Sequence, residues 1–170
     1  LNERAIVARQ IIEDASVSTD VREEVFRKYL SSIARRNEDG RQEQLLQTVT
    51  WLRGISPWPD GCGELVLGWL MELWGDSDTP EGLRSEIIEA SRLIVATISD
   101  GEAIGFIRVC TQSRAGRHGT NRVSEDDIPL EFAIQLIPDS RASKMERERI
   151  AQVLSDRNKS DSPDQLATEE

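Results

Sequence analysis

The stretch "ELVLGWLMELWG", residues 64–75, is the one around which the rest of the chain has to be arranged. Its apolar side chains would lie on nearly every side of a helix, whereas a surface helix carries a single apolar stripe. It is too short to span a bilayer, which takes about 20 residues. We therefore expect helix 64–74 to lie at the centre of a core or to be shared with a partner.

Four tryptophans lie within or just ahead of this stretch, and two of them flank a glycine- and proline-rich break at residues 54–63. Trp58 stands between two prolines, so it cannot belong to a regular element. It is therefore either an exposed anchor for a partner or a lid over the core. The residues that we predict for a protein interface are Trp58, Trp69, Leu70, Leu73 and Trp74.

Three helices are predicted ahead of the break. Apolar residues recur at spacings of three and four over residues 3–15 and 21–33, and again from Leu45 to Leu52. Asp20 and Glu23 have the spacing of a capping box at the start of the second helix. The short connections between these helices are typical of antiparallel neighbours.

A change from helix to sheet is predicted after the central stretch. Thr79 and Pro80 indicate the start of another helix, but the sequence becomes rich in β-branched residues near Leu93. A DG dipeptide, Asp100-Gly101, then separates two apolar runs, which is a hairpin signal. The segment "PLEFAIQLIP", 129–138, alternates apolar and mostly polar residues like a half-buried strand.

These patterns predict an α+β fold that is mostly helical, with a helical N-terminal layer packed on a small three-stranded antiparallel meander over residues 93–138. A last helix is expected from Ser143 to Leu154. We assign residues 1–156 to one α+β domain and residues 157–170 to a disordered acidic tail.

The charge distribution opposes nucleic-acid binding. The chain has a net charge of −10, and residues 57–100 carry 2 basic against 9 acidic side chains. A helix-turn-helix built from the second and third helices, with Arg35, Arg36 and Arg41, is kept as a second alternative, although residues 1–56 are neutral overall. No membrane span and no secretory signal are recognised, so we expect a cytoplasmic protein.

One loop concentrates positive charge: "SRAGRHGTNR", residues 113–122. Its glycines would let backbone N–H groups turn towards an anion while the arginines hold it. The alternative is a solvated loop whose arginines are balanced by the acidic residues 125–127. The residues that we assign to a phosphate or carboxylate site are Arg114, Arg117, His118 and Arg122.

Signatures of catalysis are lacking in the sequence. With two cysteines outside any CxxC pair and one histidine, we expect no metal and no cofactor. Cys62 precedes a helix, where a thiol can become reactive, but two buried reduced thiols are the favoured interpretation. We therefore predict a non-enzymatic protein-interaction or regulatory domain that forms a homodimer. The first alternative is an anion-binding module or small enzyme using residues 114–122.

Overall fold

The computed structural model describes residues 3–34, 40–112, 128–136 and 152. This part of the chain contains helices and no strand. The helices are α1 (Glu3–Glu13), α2 (Thr19–Ala34), α3 (Arg41–Arg53), α4 (Cys62–Gly75), α5 (Glu81–Thr97), α6 (Asp100–Gln112) and α7 (Ile128–Leu136). None of these helices is both long and apolar enough to cross a membrane. The three helices predicted ahead of residue 54 are confirmed.

Helix α4 lies at the centre of the packing and contacts α2, α5, α6 and α7. Its side chains at Val66, Leu67 and Leu70 are fully buried. Because these residues recur at helical spacing, they form one continuous face towards the core. The central position predicted for this stretch is confirmed.

Two glycines let other helices approach α4 closely. A Cβ placed on Gly63 would collide with the side chain of Ile98, at the end of α5. A Cβ on Gly75 would come within 2.5 Å of Ile128, at the start of α7. Real Cβ atoms are not found that close to another side chain, so glycine is required at both positions for this packing.

Helix α1 is held by polar contacts as well as by apolar packing. The Arg9 guanidinium lies 4.6 Å from the centroid of the Trp51 ring, and its Nε donates to the Tyr29 hydroxyl at 3.0 Å. Ile12 is the one residue of α1 that is buried, and its carbonyl accepts a hydrogen bond from Arg22 Nε at 2.8 Å. Cation–π and hydrogen-bond contacts thus supplement a small apolar contact.

Trp58 lies in the core. Its ring stacks on Phe26 of α2, with centroids 6.0 Å apart and planes inclined by 15°. Only 8% of its surface is exposed. Of the two alternatives for this residue, the structure selects the lid over the core.

The prediction of an α+β fold with a three-stranded meander over 93–138 is wrong. Helix α5 continues through Thr97, and α6 and α7 occupy the places of the second and third strands. On α5 the helical spacing runs past residue 93, since Ile87, Ala90 and Ile94 are all buried at intervals of three and four. The β-branched residues near the end of α5 are accommodated because packing outweighs a weak propensity.

The DG dipeptide starts a helix instead of turning a hairpin. Ser99 precedes the first residue of α6, and its Oγ accepts a hydrogen bond from the Glu102 N–H at 3.3 Å. The Ser99 hydroxyl also donates to the Glu102 carboxylate at 3.3 Å. Ser99 and Glu102 have the S-x-x-E spacing of a capping box, so a helix start competes with the hairpin signal and prevails here.

The segment read as the third strand is α7. Its buried residues are Leu130, Phe132, Ala133 and Leu136, whereas Ile134 is exposed. Three of the four apolar positions in the strand pattern also fit this helix, so the short run is consistent with both periods. Phe132 packs on α4, where its ring centroid lies 5.6 Å from that of Trp74.

The predictions for Thr79 and for the C-terminal segment compare with the structure as follows. Thr79 does not cap α5, since its Oγ1 donates to the Leu73 carbonyl at the end of α4, at 2.6 Å. The helix expected over 143–154 lies outside the described residues except for Gln152, which is helical. The acidic tail 157–170 is also outside them, so this prediction and the domain boundary at 156 remain untested.

Replacing Ser99 tests the helix start. We expect Ser99→Ala to lower the free energy of unfolding by about 0.5–2 kcal/mol, because the first turn of α6 loses an acceptor. Ser99→Asp should retain most of the stability. Ser85→Ala, the same change at an exposed position inside α5, should stay within about 0.5 kcal/mol of the wild type. Urea denaturation measures all three, and a neutral Ser99→Ala would contradict the assignment.

Candidate functional site

The five residues predicted for an interface do not share one surface. Leu70 and Leu73 are buried in the core, as is Trp58. Trp69 and Trp74 are only partly buried. They lie on different sides of α4, because five residues at about 100° each place them some 140° apart.

One side of α4 is only partly covered by the described helices. It consists of Leu65, Gly68, Trp69 and Glu72, which recur at the i, i+3, i+4, i+7 spacing of a single helix face. We call these four residues the open face of α4. Glu72 is exposed and the other three are partly buried. No described atom outside the helix lies within 4 Å of a Cβ placed on Gly68.

Helix α6 runs along one edge of the open face. The Glu64 carboxylate lies 3.0 Å from a Cβ placed on Gly105, and Cys110 Sγ lies 3.9 Å from Met71 Sδ. Val109 is one turn beyond Gly105 on the same side of α6 and is 63% exposed. Helix α6, which packs on α4, thus carries an exposed apolar side chain.

The same surface is acidic. Glu72 belongs to the open face and Glu64 lies at its edge, both are exposed, and neither forms an ion pair within the described residues. A partly apolar face with carboxylates that have no ion-pair partner among the described residues is suited to contact with another macromolecule.

A second surface feature is a cavity of about 530 Å³ between the first turn of α3 and the connection from α4 to α5. Arg41 lies in its wall, with Nη2 3.9 Å from a carboxylate oxygen of Asp76. Its Nε is buried and has no hydrogen-bond partner among the described residues. Glu43 and Asp78 line the same cavity. No group of three or more potential metal ligands is found among the described residues.

Both cysteines are buried free thiols, in agreement with the favoured sequence interpretation. Burial raises the pKa of Cys62 to about 11, and the nearby carboxylates of Glu23 and Glu102 add to the increase. Burial also raises the pKa of Cys110 to about 12. Both thiols are therefore protonated at neutral pH, so neither is activated as a nucleophile.

The predicted anion site lies outside the described residues. Arg114, Arg117, His118 and Arg122 belong to residues 113–127, which the structure does not describe. Their role in binding a phosphate or carboxylate stays a prediction.

The arginines of α3 do not support the helix-turn-helix alternative. Arg53 is paired with Glu86 at 2.9 Å and with Glu89 at 3.6 Å. Arg41 lies in the acidic cavity, and Arg35 and Arg36 are outside the described residues. A recognition helix needs cations or amides directed towards DNA, and the described arginines of α3 are directed towards carboxylates instead.

The chain matches no protein-family model, no curated protein and no solved structure. The geometry of the molecule is therefore the basis for any functional assignment. The open face of α4 was missed at the level of the sequence, although a glycine in the middle of a strongly apolar helix was a signal for it.

Alanine substitutions at two glycines of α4 test which side of the helix is covered. We expect Gly63→Ala to lower the free energy of unfolding by about 1–3 kcal/mol, because the new methyl group collides with Ile98. Gly68→Ala should raise it by about 0.5–1 kcal/mol, because the helix gains propensity at no steric cost. Urea denaturation in dilute solution measures both, and equal effects of the two changes would contradict the assignment.

Thiol chemistry tests the burial of the cysteines. At pH 8 we expect Cys62 to react with iodoacetamide roughly a hundredfold more slowly in the folded protein than in urea, because its pKa is raised from 9.0 to about 11. The measurement is made on the Cys110→Ser variant, in which Cys62 is the remaining thiol. Equal rates in the two states would show that Cys62 is exposed.

The same burial predicts a pH dependence of stability. Between pH 9 and 11 the unfolded chain loses its thiol protons while the folded chain keeps the proton of Cys62. The unfolded state is thereby favoured, so the contribution of this thiol to the free energy of unfolding should fall as the pH rises. Comparing the wild type with Cys62→Ser across this range isolates that contribution.

Proposed function

We propose that the protein is a helical protein-interaction domain that self-associates through the open face of α4. The observation that carries this proposal is Gly68 in the middle of the central helix, where no described atom outside the helix lies within 4 Å of an added Cβ. The experiment that tests it is a measurement of molar mass for the wild type and for a variant at this position.

Gly68 differs from the other glycines of α4. Gly63 and Gly75 are explained by side chains that pack directly against them. Gly82 and Gly101 are also uncovered, but each is the second residue of its helix, where a glycine disturbs less of the helix. A glycine inside a helix costs about 0.5–1 kcal/mol relative to alanine, and at Gly68 no contact among the described residues offsets that cost. Close approach of a second helix would account for it.

The composition of the open face supports a protein partner. A partly exposed tryptophan and leucine lie beside the glycine on α4, and the neighbouring helix α6 carries the exposed Val109. Aromatic residues are enriched at the centres of interfaces and often dominate their energetics. In a symmetric dimer the same face meets itself, so two copies of Gly68 would lie near the two-fold axis.

Charge sets the conditions under which this association is strongest. Each chain carries a net charge of −10, and Glu64 and Glu72 border the proposed contact. Two such faces repel each other, and salt screens charges that are separated by more than about 10 Å at 0.1 M ionic strength. We therefore expect the dimer to become tighter as the salt concentration rises.

Light scattering on two glycine variants tests the proposal. The wild type should reach about twice the chain mass of 19.1 kDa as its concentration rises, more readily in high salt. Gly68→Lys should remain a monomer, because the lysine side chain and its charge occupy the contact. Gly82→Lys is the matched control, since it introduces the same side chain at another uncovered glycine, and it should still dimerise.

Circular dichroism on each variant separates loss of association from loss of folding. A wild type that is monomeric at every salt and protein concentration would overturn the proposal. Dimerisation of a folded Gly68→Lys to the same extent as the wild type would overturn the assignment to the open face of α4.

A further inference from the structure

We draw no further inference here: the strongest candidate, the cavity between the first turn of α3 and the connection from α4 to α5, rests on a helix N-terminus and on an Arg41 side chain that is 26% exposed, and the carboxylates in its wall do not point to a ligand.

Discussion

The structure depends on the need to remove α4 from water. One neighbouring helix cannot bury a helix that is apolar on nearly every side, so several helices have to pack around it. Full burial of a side chain such as Leu67 or Leu70 contributes about 1.5–3 kcal/mol. Helices α2, α5, α6 and α7 enclose α4 except at its open face, and the glycines at both ends of α4 let Ile98 and Ile128 pack closely against it.

The sequence was sufficient for the first half of the fold because the signals there are local. Stripes at helical spacing and the apolar composition of residues 64–75 identify α1 to α4 without any tertiary information. It was misleading after Leu93, where β-branched residues and a DG dipeptide favour strands. The Ser99–Glu102 spacing was an equally local signal for a helix. In the third predicted strand, the helical form places the buried Phe132 against Trp74 of α4.

The candidate surface was less predictable than the fold because it is defined by what does not pack against it. The sequence places Trp58, Leu70 and Leu73 among candidate contacts, but whether a side chain is buried depends on elements far along the chain. Trp58 is covered through stacking with Phe26, 32 residues earlier. Gly68 stands out only once Gly63 and Gly75 have been explained by their neighbours. A sequence carries the apolar pattern, but it does not state which faces remain open.

Residue-resolved hydrogen exchange tests the central position of α4 most directly. If the enclosure of this helix stabilises the whole fold, the amides of Val66, Leu67 and Leu70 should exchange only through global unfolding and share its free energy. The amides of α1, which has one buried residue, should exchange faster through local opening. Exchange at residues 66–70 that is as fast as in α1 would contradict this account of the structure.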